Sequence, residues 1–158
     1  MDLYPFFDWL DTSLLADISK AYGGVFAVVQ MFHLLALALL GGTVLTADLR
    51  LLGVVMADVP NDVVQRNTQR WFGVALIVIT ISGIFMSSAV AMKLYYNESF
   101  WAKMIALLVG TLFFYFVRKP LLKTDLQDLN PWTVRAIAIS SIVTWFTVAA
   151  CGRWIGFS

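Results

Sequence analysis

Four long runs of apolar residues divide the chain, and short polar segments separate them. The runs cover residues 24–47, 71–92, 100–117 and 132–155. As helices rising about 1.5 Å per residue, runs of this length cross the hydrocarbon core of a bilayer. Pro120 follows the third run, and Pro131 stands where the first turn of the fourth helix is expected. The pattern predicts an all-α integral membrane four-helix bundle, in contact with lipid over residues 24–158.

The first 23 residues follow a different pattern. Their apolar residues recur at helical spacing with aspartates between them: Phe7, Leu10, Leu14, Leu15 and Ile18. This spacing predicts a short amphipathic helix from Phe6 to Tyr22 that lies on the membrane surface, or a tail that packs on the bundle. Because the segment lacks a basic start and an apolar core, we do not expect a cleavable signal peptide.

Composition supports a membrane protein and narrows its chemistry. The chain is 60% hydrophobic and 13% charged, whereas a soluble domain is about half apolar and a quarter charged. A net charge of +1 gives no reason to expect a nucleic-acid partner. A single cysteine rules out an internal disulfide. No paired carboxylates, no nucleophile with its base and no phosphate loop stand out, so we assign no catalytic residue.

Basic residues are distributed unequally between the two sides of the predicted spans. One side has seven: Arg50, Arg66, Arg70, Arg118, Lys119, Lys123 and Arg135. The other side has four: Lys20, Lys93, Lys103 and Arg153. Since lysine and arginine are retained in the cytoplasm, we expect both termini on the periplasmic side of a bacterial inner membrane. At the inner end of the first span, Asp48 and Arg50 are expected to bond Arg118 or Asp125.

The only histidine of the chain, His33, lies inside the first apolar run. Ionisable groups at such depth are costly and usually mark a function. A histidine in a four-helix bundle can bind haem iron while its second ring nitrogen bonds a neighbour such as Gln30, one turn back. Lys103 and Arg153 fall in the same outer half and could pair with the haem propionates. A sixth iron ligand could come from Met86 or Met104, and five-coordinate iron is equally allowed.

Each of these residues also has a structural interpretation. His33 could be an interhelical hydrogen-bonding group, Lys103 an interfacial anchor, and the methionines gap-filling residues. Cys151 could be a small packing residue. A stripe on the fourth helix could pack against neighbours or line a polar path: Ser140, Thr144, Thr147 and Cys151. On the third helix, Ala106 and Gly110 are expected to form a small-residue contact face.

Two segments resemble a known family. His33-Leu34-Leu35, followed by Gly41-Gly42 and then Asp48 to Leu52, resembles the opening helix of small bacterial membrane proteins of the HemJ and CopD type. Trp101-Ala102-Lys103, ahead of an apolar run that ends at Arg118, is similar to their lysine-bearing helix. The resemblance implies that His33 is the metal-ligand position and Lys103 its partnering cation. HemJ-type proteins are associated with protoporphyrinogen oxidation and b-type haem, and CopD-type proteins with copper handling.

The chain departs from both patterns. It has no second histidine, which excludes ligation of iron by two of its own histidines and puts the oxidase activity in doubt. Its loops lack the histidine and methionine clusters of a copper importer. We therefore expect a membrane protein that binds haem b through His33 and acts in electron transfer or in a redox step linked to quinone or porphyrin, with oxidoreductase activity left open.

Two alternatives to this function remain. One is a structural or accessory subunit of a membrane complex without a cofactor. The other is a small transporter for copper or another solute, whose path would follow the stripe from Ser140 to Cys151. Small residues on the second and third helices permit a homo-oligomer without requiring one.

Overall fold

A computed structural model describes residues 3–121 and 129–157 of the chain, and this part contains helices and no strand. Two short helices come first: α1 (Tyr4–Asp11) and α2 (Leu14–Ala21). The middle of the chain forms α3 (Gly23–Leu51), α4 (Asn61–Ser88) and α5 (Ala91–Tyr95). They are followed by α6 (Glu98–Leu112), a π-helical segment (Phe113–Arg118) and α7 (Lys119–Leu121). The last elements are α8 (Pro131–Trp154) and a 3-10 turn (Ile155–Phe157).

Four helices are long and apolar enough to cross a membrane. They are Gly23–Leu51, Asn61–Ser88, Glu98–Arg118 and Pro131–Phe157. The prediction of an all-α fold with four spans is therefore confirmed, and the protein is a multi-pass membrane protein. The second of these helices begins at Asn61, before the predicted start at 71, because the polar stretch ahead of the apolar run is helical as well.

The core lies where the long helices meet. Helix α3 packs against α4 and α8, and α8 packs against α6. The ring of Phe72 stacks on that of Phe114 with 3.9 Å between centroids and meets Trp145 edge-on at 5.1 Å. Gly110 lets α6 approach α8, since a Cβ at this position would lie 3.0 Å from Cγ2 of Thr144. The predicted small-residue contact on the third span is thus confirmed at Gly110.

A buried ion pair joins the first and third spans. Arg118 donates from Nη2 and Nε to Oδ1 of Asp48, at 2.7 Å and 3.1 Å. The two side chains are 2% and 0% exposed. The predicted pairing of Asp48 with Arg118 is confirmed, and Asp125, the other partner considered, lies outside the described residues. Arg50 donates to the carbonyl of Val59, at 2.9 Å, and its expected contact with Asp125 is not tested by the described residues.

The N-terminal segment forms two helices where the apolar spacing predicted one. The hydroxyl of Thr12 donates to the carbonyls of Asp8 and Trp9, and Ser13 caps α2 by accepting from the amide of Ala16 at 3.3 Å. These local bonds satisfy the helix ends at the break. Helix α1 packs against α5. The ring of Phe7 meets the ring of Tyr95 on α5 and those of Phe100 and Trp101 on α6.

Candidate functional site

A cavity of about 360 Å³ lies in the half of the bundle that contains the start of α3 and the end of α8, called the terminal half below. Five of the six residues predicted to bind a cofactor line it: Gln30, His33, Met86, Lys103 and Arg153. Met104 does not line the cavity and is 39% exposed. It follows Lys103 directly on α6, and successive helical residues point about 100° apart. The structure therefore does not bring Met104 to the site.

His33 is held by a residue of the opposite helix. Its Nδ1 lies 2.8 Å from Oγ of Ser82 on α4. The neighbouring Gly83 leaves room for the ring, since a Cβ there would lie 3.5 Å from Cε1 of His33. Among the described residues this is the only hydrogen bond of the imidazole, which leaves Nε2 without a partner. The expected bond from the second ring nitrogen to a neighbouring side chain is present, but the partner is Ser82 on the facing helix and not Gln30, the example named from the sequence.

Two cations line the same cavity without a carboxylate partner in the described part of the chain. Lys103 is partly buried, and its side chain runs over Gly152, where a Cβ would lie 3.5 Å from Cε and 3.6 Å from Nζ. Arg153 is exposed and lies over the ring of Phe157, with 4.2 Å from Cζ to the centroid. The ion pairs found among the described residues involve neither cation. The cavity thus carries positive charge that the described protein groups do not neutralise.

The remaining wall of the cavity is mainly apolar. Leu40, Ile79 and Trp145 line it and also belong to the core cluster that contains Phe72 and Phe114. This cluster separates the cavity from the Asp48 and Arg118 pair at the other end of the bundle. Five lining residues are exposed and mark where the cavity opens: Gln30, Leu34, Val90, Arg153 and Gly156. The arrangement is an open cleft, with exposed lining residues both near the end of the bundle and along α3.

Helix α1 supports the wall of the cavity from outside. Leu94, Phe100 and Ile155 line the cavity, and they also pack in the cluster formed by Phe7 and Leu10. The N-terminal segment therefore contributes to the site indirectly, by covering side chains that line it. The sequence predicted either a helix on the membrane surface or a tail that packs on the bundle, and the packing of α1 agrees with the second; it gave no link between this segment and His33.

The polar stripe of the fourth span does not line the cavity. The hydroxyls of Thr144 and Thr147 donate to carbonyls of their own helix, those of Ser140 and Val143. Cys151 lies in a separate shallow groove. A polar path along this stripe, and a soft metal site that joins Cys151 to His33, are therefore not what the structure forms. Within the described residues there is also no group of three or more His, Cys, Asp or Glu side chains placed to hold a metal ion.

Comparison with known proteins gives a family without an assigned activity. The comparison with curated proteins found no match, and the comparison with solved structures found none either. One family model, described as a family of unknown function (DUF6644), matches residues 6–158, which is nearly the whole chain. The chain therefore belongs to this family of unknown function, DUF6644.

Proposed function

We propose that the protein binds haem b in the terminal-half cavity, with Nε2 of His33 as an axial ligand of the iron. The observation that carries the proposal is the convergence of three groups on a single, mainly apolar cleft: one imidazole nitrogen that makes no hydrogen bond with the described residues, and two cations that have no carboxylate partner among them. Charged groups within a membrane domain are costly unless they meet a partner. Haem b would supply both partners, since its iron accepts an imidazole and its propionates accept charge-assisted hydrogen bonds.

The residues present fit such a group. Lys103 and Arg153 would bind the propionates and set the orientation of the ring, and the apolar wall would exclude water. Met86 lines the cavity and offers a thioether as a sixth ligand. A cavity of about 360 Å³ is at the lower end of the range for ligand sites, roughly 300–1,000 Å³. Because the cleft is open, part of a larger ligand can extend through its mouth. Bound haem supplies one-electron redox chemistry.

The role that follows is electron transfer, or a redox step linked to quinone or porphyrin, in a bacterial inner membrane. The unequal distribution of basic residues supports a topology with both termini in the periplasm. In that topology the cavity opens in the periplasmic half. The resemblance of the His33 and Lys103 segments to helices of HemJ- and CopD-type proteins points in the same direction.

A second candidate function is an accessory subunit without a cofactor. The hydrogen bond between His33 and Ser82 favours it, because the bond by itself links α3 to α4. In that case the imidazole would have a purely structural role, and Lys103 would be an interfacial anchor. Transport of copper or a solute has less support, because the core around Phe72 closes the cleft and Cys151 lies elsewhere.

Absorption spectroscopy separates these functions. The protein should be produced in haem-replete cells, purified in detergent, and recorded in its oxidised and dithionite-reduced forms. Haem binding predicts a Soret band and sharp bands in the reduced state. His33→Ala should lose them while it keeps its helical content, and Gln30→Ala, a change in another lining residue, should keep them.

Two results would count against the proposal. Wild-type protein without a Soret band would overturn haem binding and leave the accessory function. A His33→Ala variant with the full wild-type spectrum would show that the ligand assignment is wrong.

A further inference from the structure

The hydroxyl of Ser82 lies between the imidazole of His33 and the backbone of its own helix. Its Oγ is 2.8 Å from Nδ1 of His33 and 2.5 Å from the carbonyl oxygen of Val78. A longer contact of 3.3 Å reaches the carbonyl of Ile79. The side chain is 6% exposed, so water has little access to these bonds. In the sequence, Ser82 is one of several small residues of the second span, and nothing there links it to His33.

The distances determine which atom donates. A serine hydroxyl has a single hydrogen, and a backbone carbonyl can only accept. An oxygen–oxygen separation of 2.5 Å requires that hydrogen to lie between Ser82 and Val78. The hydroxyl can then only accept from the imidazole. This geometry favours the tautomer in which Nδ1 of His33 carries the proton and the lone pair of the neutral ring is on Nε2.

We propose that Ser82 is a positioning residue that fixes the tautomer and the orientation of His33, so that Nε2 is the nitrogen presented to a metal. The purpose of this positioning, the binding of a metal, rests on the proposed function. The effect of Ser82 on the imidazole ring does not depend on haem. Hydrogen bonds of this kind orient a ligating histidine and make its free nitrogen more basic. Gly83 contributes by leaving space for the ring edge beside the hydroxyl.

Nuclear magnetic resonance tests the effect on the ring directly. Since His33 is the only histidine, protein labelled with ¹⁵N-histidine gives signals from one imidazole. Spectra of haem-free protein should be recorded at mildly alkaline pH, where histidine side chains are generally neutral. We expect a protonated Nδ1 and an unprotonated Nε2 in the wild type. Ser82→Ala should populate the other tautomer, and Ser82→Thr, which keeps a hydroxyl, should restore the wild-type signals.

A wild-type ring that carries its proton on Nε2 would overturn the inference, even if Ser82→Ala failed to fold. An Ser82→Ala variant that keeps the proton on Nδ1 would overturn it as well. Neither result depends on whether the protein binds haem, so failure here is distinct from failure of the proposed function.

Haem binding gives a second readout. Removing the residue that hydrogen-bonds a ligating histidine lowers metal affinity about 10- to 100-fold, and we expect a loss in this range for Ser82→Ala. The reduction potential of haem bound to this variant should be higher than in the wild type, because a less basic imidazole stabilises the oxidised iron less. Ser87→Ala is the matched control, since Ser87 lines the same cavity but donates to the carbonyl of Gly83 on its own helix. Equal affinity and potential in Ser82→Ala and the wild type would contradict a positioning role.

Discussion

Replacing one member of the Asp48 and Arg118 pair is expected to destabilise the bundle more than replacing both. The pair is buried and joined by two hydrogen bonds to a single oxygen, Oδ1 of Asp48. Its second oxygen, Oδ2, is buried and has no hydrogen bond of ordinary geometry with the described residues, although the hydroxyl of Ser141 lies close enough to the carboxylate to stabilise its charge. Asp48→Leu or Arg118→Met would leave an uncompensated buried charge, which costs about 3–5 kcal/mol. That loss is a large part of the roughly 5–15 kcal/mol that stabilises a typical domain.

The double variant Asp48→Leu/Arg118→Met should be close to wild-type stability. Replacement of a buried ion pair by apolar residues of similar volume is often neutral or stabilising, because the loss of hydration of both charged groups offsets much of their attraction. The free energy of unfolding can be measured in mixed micelles by denaturant titration with circular dichroism. Arg135→Met is the control, because this guanidinium is exposed and its contact among the described residues is with the ring of Trp132, which is worth about 0.5–1 kcal/mol. Additive losses in the double variant would refute the reasoning.

Two further predictions concern close packing and charge. Gly110→Val should lower the free energy of unfolding by about 1–3 kcal/mol, because its side chain would collide with Thr144; unchanged stability would contradict the close approach of α6 and α8. Lys103→Met and Arg153→Met should each weaken haem binding about 10- to 100-fold in titrations, the equivalent of one charge-assisted hydrogen bond. The control is Lys93→Met, because Lys93 is an exposed cation that does not line the cavity. An equal loss of haem affinity in this variant would argue against specific propionate contacts.

The four spans could be predicted because the sequence feature that marks a span is the length of an apolar run. A bilayer core needs about 20 apolar residues as a helix whatever their order, and polar segments separate the runs. The same counting places His33, Lys103 and Arg153 in one half of the bundle, because successive spans run in opposite directions. The sequence therefore allowed the prediction that these three residues lie close together, and in the structure they line one cavity.

The rotation of each helix about its axis could not be predicted. In a membrane the outward faces are as apolar as the core, so polarity does not tell which face of a span is buried. Ser82, Ser87 and Ser88 are equivalent in the sequence, yet only Ser82 meets the imidazole. Met104 was assigned to the site for the same reason, although it faces away from the cavity. The break at Thr12 depends on local side-chain bonds that compete with helical spacing.

Experimental density at the imidazole of His33 would test the central claim most directly. The protein should be purified from haem-replete cells and its structure determined by crystallography or electron cryomicroscopy. The account predicts density for a planar group in the terminal-half cavity, with its metal bonded to Nε2 and its acidic groups beside Lys103 and Arg153. A ring that contacts Ser82 alone, next to a cavity filled only by lipid or water, would contradict it.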